Sequence, residues 1–118
     1  MEDKPITWIG TSRLDLRALP EDVRRKAGSE LRVIQAGEMP KDFKPMLTVG
    51  KGVYEVRIRT EGAYRIFYVA RFDESIYVLH VLQKKTQQTP DRDLQLGRQR
   101  YDEMTAHRES LPQDDNDD

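Results

Sequence analysis

From Val53 onward the chain falls into three successive strand-like runs, VYEVRIR, AYRIFYVARF and SIYVLHVLQKK, and these carry its strongest structural signal. In the first, Tyr54, Val56 and Ile58 alternate with Glu55, Arg57 and Arg59. A two-residue period sends the two sets to opposite faces of a strand, one apolar and one cationic. In the second, Tyr64, Ile66, Tyr68 and Ala70 share one face, while Arg65, Phe67, Val69 and Arg71 share the other. Both faces then have apolar content, as an inner strand requires, and Arg65 stands out among its neighbours. The third run is almost wholly apolar from Ile76 to Leu82, which predicts a buried central strand. The connections Thr60-Glu61-Gly62 and Asp73-Glu74-Ser75 are short and polar, so the three strands are expected to pair antiparallel.

Upstream of the strands the period lengthens to that of helices. Lys4 to Ile9 predicts a short first strand, with Pro5 tolerable at its start or on an edge. Thr11 and Ser12 offer a helix cap with Asp15 near the positive end, and Leu14, Ala18 and Leu19 are expected on the buried side. Pro20, Glu21 and Asp22 mark a second helix start; Val23, Ala27, Leu31 and Ile34 recur at helical spacing until Gly37 stops it. The two helices predict a hairpin packed on the sheet. Glu38 to Gly52 contains Pro40, Pro45, Gly50 and Gly52 and is expected to be a loop anchored by Phe43, Met46 and Leu47. Thr89 and Pro90 open a last helix whose apolar stripe, Leu94, Tyr101 and Met104, is narrow, so it is expected at the periphery. The expected class is α+β: a small antiparallel sheet in the order β-α-α-β-β-β-α.

Length and charge refine this picture. A chain of 118 residues without an internal Pro/Gly-rich linker predicts one domain, here residues 1–108, followed by an acidic tail, 109–118, expected to be disordered. The net charge of -1 conceals an asymmetry: residues 1–100 hold 19 Lys and Arg against 14 Asp and Glu, while the remainder holds one cation and seven acids. The tail reads as a solubilising end in preference to an internal mimic of a phosphate chain. Arg24-Arg25-Lys26 on the second helix reads as a solvated face in preference to a nucleic-acid contact. With no cysteine, no bilayer-length apolar run and no signal-peptide pattern, a cytoplasmic protein without a membrane partner is expected.

The candidate chemistry lies in the cations of the strands. Arg57 and Arg59 share one face, Arg65 lies across the hairpin, and Lys84-Lys85 close the third strand. Cross-strand neighbours can bring such groups together. Two readings stand side by side: Glu55, Glu61, Asp73 and Asp91 pair with them as surface salt bridges, or the cations form a concavity that binds a phosphodiester. Of two histidines, His80 lies inside the apolar strand and reads as a hydrogen-bonded core residue, and His107 is near the tail. No nucleophile-elbow, phosphate-loop, dinucleotide-binding or metal-ligand motif is present. Fixed positive charge can nevertheless stabilise a phosphorane-like transition state, and in RNA the 2'-hydroxyl is an internal nucleophile.

The run VYEVRIRTEGAYRIFYV followed by IYVLHVLQKKTQQTP resembles the phage-derived, HigB-like branch of the RelE/ParE toxin superfamily. The resemblance rests on the segments E-x-R, G-x-Y-R-x-x-Y and Q-K-K-T-Q-x-T-P taken together and spans about Lys4 to Met104. It implies a RelE-like fold and the toxin of a type II toxin-antitoxin system, a metal-independent and cofactor-free endoribonuclease that cuts mRNA on the ribosome. It also implies a cognate antitoxin, commonly a helix-turn-helix protein, through which alone operator DNA is bound.

Carried onto this chain, the family's catalytic cations correspond to Arg57, Arg65 and Lys85, with Lys84 beside it. Arg65 would bind the scissile phosphate and stabilise its developing charge, Lys84 and Lys85 would do similar work, and Arg57 would assist proton transfer or orient the 2'-hydroxyl. Arg59, Gln83 and Gln87 are candidate RNA contacts. Tyr68, with Tyr64, is a candidate for base stacking, although core packing is the preferred reading of both. RelE itself has a lysine where Glu55 stands, and Asp91 falls near the position of its base-stacking tyrosine. Two alternatives remain: a ParE-like inhibitor of DNA gyrase, which needs no catalytic cations, and a non-catalytic protein-binding or regulatory domain.

Overall fold

The computed structural model describes residues 3–85 and 88–112. Five strands and three helices follow in the order β1 (Ile6–Trp8), α1 (Ser12–Arg17), α2 (Glu21–Gln35), β2 (Phe43–Pro45), β3 (Val53–Arg59), β4 (Ala63–Val69), β5 (Ile76–Lys84) and α3 (Asp91–Glu109). The sheet order is β1-β5-β4-β3-β2. The three long strands pair antiparallel as their short turns require, with Arg59 opposite Ala63 at the first hairpin. The fold is therefore the expected α+β arrangement, extended at one edge by β2.

Each edge departs in detail from the sequence reading. β1 joins β5 in parallel, Ile6 opposite Ile76, so the sheet is mostly rather than wholly antiparallel. β2 arises inside the segment expected to be a loop, where Phe43, Lys44 and Pro45 pair with Val56, Glu55 and Tyr54. Pro45 is tolerated because β2 is an edge strand. Met46 anchors the chain beyond it, and Phe43, although exposed, packs edge-on against Tyr54 at 5.8 Å between ring centres, whereas Leu47 is exposed and anchors nothing.

The alternation of β3 and β4 gives the sheet two buried faces. On one, Val56, Ile58, Tyr64, Ile66 and Tyr68 pack against Val23, Ala27, Leu31 and Ile34, the predicted stripe of α2. α2 ends at Gln35, and two residues on Gly37, with φ of +87°, reverses the chain where other residues would be strained. In α1 the buried residues are Ser12 and Leu16, not the expected Leu14 and Ala18, which are exposed, while Leu19 is only partly covered. The Ser12 hydroxyl donates to the carbonyl of Val78 at 3.1 Å, and this bond turns Leu16, one helical turn later, inward.

On the second face, Val53, Phe67, Val69, Tyr77, Leu79 and Leu82 pack beneath α3. Met104 is buried there as expected, with Leu94 and Tyr101 half-buried, but the inward line of α3 also contains Asp93, Gly97 and Arg100. These polar groups are satisfied: Asp93 bonds His80 at 2.8 Å, and Arg100 donates to the Leu79 carbonyl and the Thr11 hydroxyl. Gly97 is needed because a Cβ there would stand 3.0 Å from both Phe67 and Val49. From 113 onward the acidic tail lies outside the described residues.

Candidate functional site

Strand register, rather than sequence spacing, assembles the site. On the α3 face, three successive rows cross the sheet: Lys44, Glu55, Phe67 and His80; then Arg57, Arg65 and Leu82; then Arg59, Ala63 and Lys84. The first turn of α3 lies over the first row, where Asp93 holds His80. Beyond it opens a cleft of about 880 Å³. Its lining includes Lys44, Arg57, Arg59, Arg65, Lys84 and Lys85, against one carboxylate, Glu61, among the described residues.

All four cations proposed for catalysis, Arg57, Arg65, Lys84 and Lys85, thus line one cleft, and Arg59 joins them. Two other expected contacts do not. Tyr68 is buried on the opposite face, stacked on Tyr54 at 6.0 Å between ring centres, and its place is in the core. Burial pushes its phenol well above the ordinary range, so it stays neutral. Gln83 is exposed but lies opposite Tyr64, on the face away from the cleft. Gln87 lies outside the described residues.

The carboxylates sort the arginines. Glu55, expected on a solvated cationic face, is wholly buried, and its Oε1 accepts a 2.6 Å bond from Nη1 of Arg65. Arg65 is itself only 7 % exposed, so it lines the cleft from its floor. Arg57 has Nε 3.5 Å from the same Glu55 oxygen and Nη1 3.5 Å from Asp42. Arg59 stands 3.7 Å from Asp42, with most of its side chain in solvent. The salt-bridge reading therefore holds for Glu55, as a buried rather than a surface pair, and not for Glu61, Asp73 or Asp91, which make no ion pair among the described residues.

The lysines have no such compensation. Lys44, Lys84 and Lys85 make no ion pair among the described residues. Desolvation, then the neighbouring charge of Arg65, with smaller effects of Lys44 and Arg57, lowers the pKa of Lys84, and Glu55 offsets this only in part. A lysine in these surroundings gives up its proton more readily than one in water and gains most from an arriving anion.

Lys44 and Asp42 were not found by sequence reasoning. Both precede or lie within a strand too short to show a period, and only the register of β2 against β3 brings them to the site. What the arrangement can do is bind an anion with several charges or acceptor oxygens, with one fixed guanidinium, two exchangeable ones and lysines at the rim.

Fold and cleft together define an α+β domain of RelE-like architecture with a cationic site on the sheet face that α3 leaves open. Over residues 14–102 the sequence matches the family described as phage derived protein Gp49-like (DUF891), and the chain belongs to that family. No curated protein matches it. Among the described residues no helix is long and apolar enough to cross a membrane.

Proposed function

We propose that the chain is the toxin of a type II toxin-antitoxin system, of the HigB-like kind, and that it cleaves mRNA on the ribosome. The observation that carries this reading is the convergence, among the described residues, of six cations from β2 to β5 and the segment after β5 in one cleft with a single carboxylate in its lining. Like charges gathered this way cost folding free energy unless an anion is to be held there, and a phosphodiester offers the acceptor oxygens that arginines engage.

In this reading Arg65 and Arg57 hold the non-bridging oxygens of the scissile phosphate. The 2'-oxygen attacks phosphorus, the bond to the 5'-oxygen breaks, and the fixed cations stabilise the charge that develops. Lys84, with its lowered pKa, is the cleft group best suited to exchange a proton during that step, with Arg57 placed to assist. The cations supply the electrostatic work, so the reaction requires no metal. The cognate antitoxin, commonly a helix-turn-helix protein in this branch, would neutralise the toxin by covering the cleft with acidic groups.

The test is induction of wild type, Arg57→Ala and Lys84→Ala/Lys85→Ala in matched cultures at equal folded protein, with primer-extension mapping of a translated mRNA. Growth arrest with in-frame cuts that fade in both variants is expected. Arrest without cuts would turn the reading toward gyrase inhibition, and absence of arrest in all three cultures would favour a binding domain.

A further inference from the structure

Glu55 is the most fully buried charged side chain among the described residues, at 0 % exposure, and the cleavage scheme above gives it no part. Its Oε2 and the Nε of Arg65 are both closed to solvent and lack a hydrogen-bond partner among the described residues. Such a pair is a poor device for stability. Taking two charges from water costs more than their attraction returns unless the remaining polar atoms are also met, and an apolar pair of equal volume commonly does better.

We propose that Glu55 is a positioning residue for the anion cleft: it fixes the guanidinium of Arg65, and through the same oxygen steadies Arg57, for contact with a phosphodiester. This rests on the phosphodiester reading of the cleft. Arg57 and Arg65 are direct cross-strand partners, and cations so placed stand about 5 Å apart at Cβ and repel. A carboxylate oxygen shared between them lets both lie side by side beneath the cleft.

Asp42, which meets Arg57 and Arg59, differs in kind. It is 42 % exposed, and its contacts are 3.5 and 3.7 Å, so a phosphate can displace it. The 2.6 Å bond from Arg65 to Glu55 is short, charge-assisted and shielded from water. Arg65 is therefore the fixed donor, and Arg57 and Arg59 are those that exchange a carboxylate for substrate. Donors held in advance do not reorganise as charge develops on the phosphoryl oxygens. The arrangement also has a cost, because the negative charge of Glu55 weakens the attraction of the cleft for any anion at rest.

Removing that charge should consequently move binding and turnover in opposite directions, which loss of folded protein cannot do. The experiment compares wild type, Glu55→Gln and Glu55→Asp as full chains by anisotropy of a fluorescent oligoribonucleotide, nitrogen NMR of the Arg65 guanidinium, and cutting of a translated mRNA. Glu55→Gln is expected to bind the oligoribonucleotide about 3- to 10-fold tighter. It should merge the Arg65 Nη signals, which are expected to be separate in wild type, and cut about 10-fold or more slowly. Glu55→Asp keeps the charge but withdraws it by one methylene, so binding should stay within about two-fold of wild type while cutting falls.

Unchanged Arg65 signals in Glu55→Gln, or binding and cutting that fall together, would overturn the proposal while leaving the phosphodiester reading intact. A wild type that neither binds nor cuts RNA would overturn both. Should Glu55→Gln fail to fold, the wild-type spectrum decides, since freely averaged Arg65 Nη signals are incompatible with a fixed guanidinium.

Discussion

Replacing Arg65 by methionine retains much of the stem that packs in the sheet and removes the guanidinium. Glu55 is then a carboxylate at 0 % exposure whose nearest cation, Arg57, stands at 3.5 Å. Breaking a buried pair from one side costs about 3–5 kcal/mol. A domain of this size has about 5–15 kcal/mol in all, so Arg65→Met is expected to approach the edge of folding. With a urea dependence of about 1.5 kcal/mol/M, the unfolding midpoint should fall by about 2 M or more. Adding Glu55→Leu removes the stranded charge and fills its space with apolar atoms. The double variant should therefore return to the wild-type midpoint or pass it. The assay is urea unfolding of wild type, both single variants and the double variant, followed by circular dichroism at one pH and ionic strength. A loss of less than about 0.5 M in Arg65→Met, or a double variant no better than the single, would refute the reasoning. The outcome also governs how function is read, because silence from an Arg65 variant indicates a lost site only if the protein remains folded.

Two glycines in helices should respond oppositely to alanine. Gly28 in α2 faces open space, so Gly28→Ala should raise stability by about 1 kcal/mol, or about 4 °C in Tm. In α3, Gly97→Ala must move Phe67 or Val49, both buried, and thermal unfolding should show a net loss of about 1–2 kcal/mol despite the better helix former. At the far end of α3, the Arg108 guanidinium donates to Glu74 at 2.6 Å and, with a bond from the Tyr77 hydroxyl, outweighs desolvation to hold that carboxyl at about 2 instead of 4.5. A depressed folded-state value means stability that is present above about pH 4.5 and lost as pH falls toward 2. Arg108→Gln should cost about 1 kcal/mol at neutral pH, allowing for a carboxylate one-third exposed, and almost nothing near pH 2 in matched urea titrations. For RNA binding, Lys84→Ala/Lys85→Ala should flatten the slope of log affinity against log salt by about 1.4, the share of two phosphate contacts on a single strand, as read by anisotropy.

The central hairpins were legible because their residues repeat with period two and their turns are short enough to leave only antiparallel pairing. The stripe of α2 was legible for the same kind of reason. β2 was not, since three residues ending in Pro45 have no period and gain strand geometry only from β3 beside them. Alternation also assigned Glu55 to the cationic face correctly but could not tell whether that face meets water. The buried line of α3, with Asp93, Gly97 and Arg100, carries almost no hydrophobic signal, because each is accommodated by a partner or a close approach distant in sequence. In the site itself, Arg57, Arg65, Lys84 and Lys85 could be named from the strands that carry them. Lys44 and Asp42 could not, and Tyr68, a candidate for base stacking, takes instead the place in the core that was the preferred reading of it.

The position of the cleft follows from unequal cover of the two sheet faces. On one face, α2 reaches far enough along β3 and β4 to bury Ile58 and Tyr64, neighbours in sequence of Arg57 and Arg65. On the other, the first turn of α3 is pinned over the row of His80; in the next two rows Leu82 still packs with the core beneath α3, and the cations beside it extend past that cover. Apolar residues there would form an exposed patch, and carboxylates would cancel the cations. What stands there is cationic, braced by one buried acid, Glu55, and one exposed acid, Asp42. A wholly exposed cluster would be screened by salt, and a wholly buried one would not tolerate six positive charges. Placing the fixed arginine on the floor and the lysines at the rim divides these demands: the floor supplies geometry, the rim supplies attraction, and an anion entering between them meets both.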